Sequence, residues 1–315
     1  MPTSNDTLQL VPRTFVSGEN ALKFDFSALK IGVAEYPQGP TGCTVFYFPN
    51  GVKTAVDVRG GYPGVSFQYD VNHAICFAGG SLLGLETIAG VSAEIFAERS
   101  YSFKDGFPLV SGAILFDFTN RDNHIYPDLA LGRAGLRAAK EGIFLIGPHG
   151  AGRNVSVGGT FDEAWRETSG QGGAFREIGP VKVGVFTVVN ASGAVHNRSG
   201  VIVRGNRNPE TNERYTSLQD LERRLVMKEK GTPRQGNTTL TLVVTNLKLK
   251  SEELTQMARQ VHSSMARAIQ PFATMDDGDV LYAVTTDEVE YIGATSLGLI
   301  ASEVAWDAIL SIYHL

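Results

Sequence analysis

Cysteine is scarce in this chain, and so are the side-chain spacings that mark metal sites. The 315 residues include two cysteines, Cys43 and Cys76, which excludes a small secreted scaffold held together by several disulfides. We expect both thiols to be buried and free, in a reducing compartment. The sequence contains no Cys-x-x-Cys pair and no His-Glu-x-x-His motif. It therefore predicts neither a metal site nor a zinc-dependent reaction.

Basic clusters and long apolar runs are also lacking. The net charge is −5, and no basic block stands out, which argues against a nucleic-acid partner. No apolar run approaches the roughly 20 residues that a membrane helix needs, and residues 1–13 do not have the layout of a signal peptide. The Gly-rich stretches lack the Gly-Lys-Ser/Thr of a phosphate loop. We expect a cytoplasmic protein without a cofactor, a metal or a membrane partner.

Strand and helix patterns fill the rest of the chain. Hydrophobic residues make up 43% of the sequence, enough for a large core. The clearest turn signal is Pro49-Asn50-Gly51 between two β-rich runs, which predicts a hairpin over residues 44–58. Further strands are predicted at 31–36, 109–118, 181–190, 200–204, 238–246 and 280–285, and helices at 78–98, 129–140, 251–269 and 294–313. Paired strands and blocks of helices favour two largely antiparallel sheets flanked by helices.

The stretch 236–246 separates a polar segment, 205–235, from a strand rich in β-branched residues. The polar segment is interpreted as an exposed loop. Along the strand, Leu240, Leu242 and Val244 share one face, whereas Thr239, Thr241, Val243 and Thr245 share the other. A chain that cleaves itself between Asn237 and Thr238 would leave Thr238 with a hydroxyl nucleophile and its own α-amine as base. The alternative is an ordinary turn before a strand.

Two further groups are candidates for the same chemistry. Asp277 and Asp279 lie two residues apart at a predicted strand start, so both carboxylates can point at one site and alter its proton affinity. The alternative is a simple acidic turn. Asn190 ends a predicted strand, either as a turn residue or as an amide donor to an oxyanion.

Many ordered motifs together resemble the nylon-oligomer hydrolases, the 6-aminohexanoate-oligomer endohydrolases. The resemblance covers nearly the whole chain after about residue 20. It is carried by Gly39-Pro-Thr-Gly42, Asp57-Val-Arg-Gly-Gly61, Asn72-His-Ala-Ile-Cys76, Tyr126-Pro-Asp128, Gly170-Gln-Gly172, Gly236-Asn-Thr-Thr239, Gln260-Val-His-Ser-Ser-Met265, Asp277-Gly-Asp279 and Val284-Thr-Thr-Asp-Glu288. These enzymes belong with the N-terminal-nucleophile hydrolases related to β-aminopeptidases and ornithine acetyltransferase.

The resemblance implies a four-layer αββα sandwich, an α/β (α+β) fold, in one domain spanning residues 1–315. It implies autocleavage between Asn237 and Thr238 into chains 1–237 and 238–315 that stay associated, with protomers forming homodimers or homotetramers. Thr238 would be the nucleophile and Asn190 the oxyanion donor, with Asp277 and Asp279 around the nucleophile.

The sequence departs from the family's pattern at two positions. The family's active-site lysine aligns near Thr160, and its active-site tyrosine aligns near Phe116, so an ammonium and a phenol are replaced. The first hypothesis is an amidase that hydrolyses linear or cyclic oligoamides through an acyl-enzyme. The alternatives are a β-aminopeptidase-like enzyme, an acyltransferase, and a non-catalytic scaffold or binding protein that is never processed.

Overall fold

A large curled β-sheet is the main element of the fold. The structure is a computed structural model that describes residues 2–15, 20–119, 121–230, 236–290 and 293–313. The helices are α1 (Glu86–Glu98), α2 (Leu129–Arg137), α3 (Ser217–Met227), α4 (Ser251–Ser264) and α5 (Ala294–Ser311). The strands are β1 (Arg13–Thr14), β2 (Ala21–Lys23), β3 (Lys30–Tyr36), β4 (Thr41–Val58), β5 (Val71–Ala78), β6 (Val110–Ile114), β7 (Lys140–Glu141), β8 (Ile143–Leu145), β9 (Ser156–Val157), β10 (Glu167–Thr168), β11 (Gln171–Ile178), β12 (Val181–Asn190), β13 (Ala194–His196), β14 (Ile202–Arg204), β15 (Thr238–Leu247), β16 (Ile269–Gln270) and β17 (Val280–Val289).

The sheet runs in the order β1-β3-β4-β17-β15-β12-β11, and β5, β6 and β7 join it at β4, β5 and β3. Most neighbouring strands are antiparallel, but β15 pairs with β17 in parallel. One aromatic core is shared by residues from both ends of the sheet, such as Phe46 of β4 and Phe186 of β12. The sheet therefore curls around this core, and the predicted mixed α/β class is confirmed.

Two more cores lie where helices cover the sheet. Helices α4 and α5 pack on β12, β15 and β17, and α1 and α2 pack on β3, β4 and β5. Both cysteines are buried and free, as predicted. The alternation predicted for β15 is also confirmed, because Leu240, Leu242 and Val244 face the aromatic core while Val243 faces the helices.

The hairpin predicted over residues 44–58 is wrong, because β4 runs without a break from Thr41 to Val58. Gly51 has a positive φ of 73°, but a two-residue type I′ hairpin turn needs positive φ at both central residues. The Asn50-Gly51 pair lies instead in a bulge, where the register against β5 shifts between Tyr47 and Val52. Beyond the bulge, β4 pairs with β17, which holds the strand extended.

The sequence predicts an exposed loop over residues 205–235. Within the described part of this segment, the prediction is wrong at Ser217–Met227, which form α3. A capping box starts this helix: Gln219 N donates to Thr216 Oγ1, and Thr216 N donates to Gln219 Oε1. This Thr-x-x-Gln pattern is visible in the sequence. Residues 231–235 of the predicted loop lie outside the described residues.

Several predicted boundaries also shift. The first predicted helix becomes a 3-10 turn, Ser81–Leu85, followed by α1. The strand predicted to reach residue 118 ends at Ile114, and the helix predicted to reach residue 140 ends at Arg137. Helix α4 has Lys250 as its N-cap.

Candidate active site

The register of three strands brings the predicted residues together at one end of the sheet. Thr238 is the first residue of β15, and it pairs with Asn190, the last residue of β12. On the other side, the parallel strand β17 starts at Val280, and a single bridge joins Asn237 to Asp277 just before it. Residues far apart in sequence are thus fixed as neighbours by backbone pairing.

The peptide bond between Asn237 and Thr238 is held by hydrogen bonds on its carbonyl oxygen. Thr238 Oγ1 donates to this oxygen at 2.6 Å, so the hydroxyl lies beside the carbonyl that it would attack. The backbone N–H of Gly278 donates to the same oxygen at 2.8 Å. Such a donor stabilises negative charge when it develops on the oxygen. Sequence reasoning missed Gly278, because a backbone donor leaves no side-chain signal.

Glycine at 278 is required by close packing. A Cβ atom there would lie 2.4 Å from the carbonyl oxygen of Tyr62, well inside van der Waals contact. The backbone of residues 62–63 therefore presses against the turn that carries Asp277 and Asp279. The turn is held in place from two sides, because Tyr62 N also donates to the carbonyl oxygen of Asp277 at 3.0 Å.

Asp277 and Asp279 are both buried, with 2% and 1% of their surface exposed. Asp277 Oδ2 accepts from Thr274 N at 2.8 Å, and its Oδ1 accepts from Ser192 Oγ at 3.4 Å. Asp279 Oδ1 accepts from Thr239 N at 2.6 Å, and its Oδ2 accepts from Ala273 N at 3.1 Å. The two carboxylates hold the backbone directly after Thr238 and the turn before β17.

The carboxyl group of Asp279 binds its proton far more tightly than usual. Burial, and then the nearby charge of Asp277, raise its pKa to about 8, against the lowering effect of its N–H donors. Desolvation disfavours the ionised form, and a like charge adds to this. Near neutral pH the carboxyl group of Asp279 therefore keeps its proton.

Asn190 is fully buried, and its carboxamide joins three segments around Thr238. Its Nδ2 donates to the carbonyl oxygen of Phe116 at 3.0 Å and to that of Gly236 at 3.4 Å. Its Oδ1 accepts from Ser156 N at 3.2 Å. The amide protons thus point toward the chain just before the Asn237–Thr238 bond, whose own oxygen is held by Gly278.

Phe116 and Thr160, the two residues predicted to depart from the family's pattern, both lie close to the site. The phenyl ring of Phe116 packs under Gly236, where a Cβ atom would lie 2.6 Å from the Phe116 Cβ. Thr160 Oγ1 donates to the carbonyl oxygen of Ser192 at 2.9 Å and lies 2.9 Å from Ser217 Oγ. Ser192 in turn contacts Asp277, so Thr160 is one residue removed from the carboxylate pair.

Arg166 is a second residue that sequence reasoning missed. Its guanidinium group donates to Asn237 Oδ1 at 3.3 Å and to Ser156 Oγ at 2.9 Å. The residue lies in a Gly-rich stretch, residues 147–173, and 71 positions separate it from Asn237. No local pattern could connect the two.

A cavity of about 520 Å³ opens at Thr238. Its lining is mainly apolar and aromatic, with one carboxylate, and comprises Tyr62, Pro63, Gly64, Ser81, Leu82, Ile114, Phe116, Gly236, Thr238 and Asp276. Tyr62 and Leu82 remain 73% and 67% exposed, so the cavity is open to solvent. Pockets of this size and character bind small organic ligands.

No metal cluster accompanies the site within the described ranges, because no group of three or more His, Cys, Asp or Glu side chains is arranged to hold an ion. Among the helices that the structure describes, none is both long enough and apolar enough to cross a membrane.

Comparison with known proteins decides the family. The profile of Peptidase family S58 matches residues 22–312. The chain belongs to peptidase family S58. A 6-aminohexanoate-oligomer endohydrolase from Agromyces sp. (strain KY5R) is 44% identical over 321 residues, covering 97% of this chain and 89% of that relative. The predicted relationship to the nylon-oligomer hydrolases is confirmed, and this S58 protein is an enzyme of the hydrolase class.

Solved structures agree on the fold of this S58 protein. A β-aminopeptidase from Burkholderia sp. superposes with a TM-score of 0.62 at 14% identity, covering 94% of this chain and 89% of that one. The L-aminopeptidase D-Ala-esterase/amidase of Ochrobactrum anthropi, described as a variant of the Ntn hydrolase fold, gives 0.60 at 14% identity, covering 96% and 88%. The chain therefore shares the fold of N-terminal-nucleophile hydrolases.

Proposed function

We propose that this S58 protein is a self-processing amidase whose nucleophile is Thr238. One observation carries the proposal. The Thr238 hydroxyl lies 2.6 Å from the carbonyl oxygen of the preceding peptide, at the floor of an open cavity. This arrangement suits intramolecular attack, because the pairing of Thr238 with Asn190 and the Gly278 N–H on the Asn237 carbonyl oxygen hold the nucleophile beside its target.

In the processing step, Thr238 Oγ adds to the carbonyl carbon of Asn237 and its proton passes to the departing nitrogen. The C–N bond breaks and an ester forms, and Gly278 N–H supports the charge on the oxygen. Water then hydrolyses the ester. The products are chain 1–237, ending in a carboxylate at Asn237, and chain 238–315, beginning with the free amine and hydroxyl of Thr238.

In turnover, the new α-amine of Thr238 is the base. Its ordinary pKa is about 7.7–8.0, so much of it is neutral near pH 8 and can take the hydroxyl proton. Thr238 Oγ attacks the substrate amide, Asn190 Nδ2 stabilises the oxyanion, and the amine product leaves. Water then releases the acyl group. Asp277 and Asp279 hold the backbone beside Thr238 and stabilise the new ammonium whenever it is protonated.

The substrate class follows from the relatives and the cavity. The Agromyces relative is named for 6-aminohexanoate oligomers, and the apolar walls at Tyr62, Leu82 and Phe116 suit methylene segments between amides. We infer that this chain hydrolyses such nylon oligomers or similar oligoamides. Asp276 at the mouth favours substrates with a positively charged amino end, which also supports β-aminopeptidase-like activity as the second candidate.

Two other outcomes have observable signatures. An acyltransferase would pass the acyl group to an added amine rather than to water, and product analysis separates the two. An unprocessed scaffold or binding protein would keep one intact chain, and the changes at Thr160 and Phe116 are what favour this reading.

The remaining predictions accompany the proposal. The three cores, with helices on both outer sides, support the four-layer αββα sandwich in one domain over residues 1–315. Assembly into homodimers or homotetramers, a cytoplasmic location, and the absence of a cofactor or metal also stay predictions.

The experiment is a denaturing gel with intact mass measurement and an oligoamide assay. The wild-type protein should give chains 1–237 and 238–315, and Thr238→Ala should give one inactive, intact chain, because the Oγ that attacks is gone. An intact wild-type chain with full amidase activity would overturn the proposal.

A further inference from the structure

Arg166 is held by hydrogen bonds from all three nitrogens of its guanidinium group. It follows a short 3-10 turn, Glu163–Trp165, at the edge of the site. Its Nη1 donates to Gly158 O at 3.0 Å and to Asn237 Oδ1 at 3.3 Å. Its Nη2 donates to Ser156 O at 2.7 Å, and its Nε donates to Ser156 Oγ at 2.9 Å. The guanidinium therefore ties β9 to the side chain at the cleavage point.

The backbone around Arg166 is shaped to receive its side chain. Gly159 has a positive φ of 72°, and a Cβ atom there would lie 2.5 Å from the Arg166 Cγ. A larger residue at 159 would displace the aliphatic stem and strain the backbone. The planar, permanently charged guanidinium group then donates to its acceptors in one fixed orientation, which a lysine ammonium does not reproduce.

We infer that Arg166 is the positioning residue of the cleavage site. It fixes the side chain of Asn237 on the carbonyl side of the scissile bond. Through Ser156, whose N–H donates to Asn190 Oδ1 at 3.2 Å, it also sets the direction of the Asn190 amide. One cation thus orients both the bond to be cleaved and the oxyanion donor used in turnover. This inference rests on the proposed self-processing function.

The test follows cleavage of freshly purified precursor over time in Arg166→Gln, Arg166→Lys and the matched control Arg204→Gln. Arg204 also anchors the neighbouring strand, since it donates to Thr168 of β10, and it has no role in the proposed site. We expect Arg166→Gln to cleave at least tenfold more slowly than wild type, Arg166→Lys to be intermediate, and Arg204→Gln to match wild type. After maturation, Arg166→Gln should lower kcat while KM stays within twofold, because Asn190 acts in the transition state.

Stability is measured separately with the same changes in the uncleavable Thr238→Ala background. If Arg166 has only a structural role, cleavage slows only in variants whose midpoint of thermal unfolding is lowered. If Arg166 positions the cleavage site, Arg166→Gln cleaves slowly although its midpoint matches that of Arg204→Gln. If Arg166→Gln does not fold, Arg166→Lys carries the test and must cleave at least threefold more slowly than wild type.

Cleavage of the Arg166 variants within twofold of Arg204→Gln would overturn the inference while leaving self-processing intact. An uncleaved wild-type chain would instead overturn the proposed function itself, so the two failures are distinguishable.

Discussion

The floor and the walls of the cavity are built in opposite ways. The floor is defined as Thr238, which lines the cavity, together with its buried neighbours Asn190, Asp277 and Asp279. These residues are at most 5% exposed, and strand pairing or backbone N–H donors hold each of them. The walls come from loops, a 3-10 turn and the end of β6. Tyr62 and Leu82 there are more than two-thirds exposed.

In the proposed function, the buried floor residues carry out the reaction and the exposed wall residues bind the substrate. A floor residue cannot shift without disturbing β12, β15 or β17, so its geometry is set before any substrate arrives, as electrostatic stabilisation requires. A wall side chain can change with little effect on the sheet, because few buried contacts depend on it. Floor changes should therefore reduce the rate or stability strongly, and wall changes should alter KM modestly.

Asn190→Ala should have the largest effect on turnover. Removal of one oxyanion donor lowers kcat by about 10²–10³, and the loss should appear in kcat more than in KM. Steady-state kinetics on an oligoamide test this, with the thermal midpoint as the control for folding. A kcat within fivefold of wild type would show that Asn190 is not the oxyanion donor in turnover.

Asp279→Asn should change how stability depends on pH. The folded pKa of about 8 lies above the ordinary 3.8, so from pH 4 to 8 the folded chain keeps a proton that the unfolded chain releases. The contribution of Asp279 to stability therefore falls as pH rises through this window. Asparagine has no such proton, although it loses one N–H acceptor.

Urea unfolding of Asp279→Asn and its parent, both in the Thr238→Ala background, measures this difference. From pH 5 to pH 8 the free energy of unfolding of the variant should gain on that of the parent by about 3 kcal/mol. An unchanged difference between the two pH values would mean that Asp279 is ionised throughout.

Leu82→Ala should weaken substrate binding without affecting self-cleavage. Loss of part of an apolar wall is worth about 1 kcal/mol, so KM should rise about fivefold for oligoamides with long methylene segments. Leu83→Ala is the matched control, since Leu83 is 51% exposed but does not line the cavity. Equal effects of the two changes would remove Leu82 from the binding wall.

Asp276→Asn should have the smallest effect. Its carboxylate is exposed, and exposed ion pairs are weak, so KM should rise about twofold for substrates with a free amino end. N-acetylated substrates should be unaffected, and salt should abolish the difference by screening. Equal changes for both substrates would place the amino end elsewhere.

Local sequence patterns predicted a strand or helix well where short-range periodicity alone determines it. The alternation in β15 follows from the two-residue repeat of any strand, and the structure confirms which side chains face each core. The same local reasoning failed at Asn50-Gly51, because pairing of β4 with β5 and β17 outweighs a turn preference. It also passed over α3, although Thr216 and Gln219 mark its start.

The candidate site shows a similar division. Thr238, Asn190, Asp277 and Asp279 could be chosen from residue type, position at strand ends and the family resemblance. Arg166 and the Gly278 N–H could not be, because their relevance depends on contacts with Asn237 made across long separations.

The sequence by itself determined how the side chains of β15 divide between its two faces and to which family the chain is related, and it predicted Thr238 as a nucleophile with Asp277 and Asp279 beside it. These properties depend on side-chain chemistry and on repeats of two or a few residues. Only the tertiary structure decided that Gly278 N–H holds the Asn237 carbonyl oxygen and that Arg166 holds the Asn237 side chain. Such contacts arise from the register of β12, β15 and β17 and from the path of the loops between them, and neither is encoded in any short stretch of the chain.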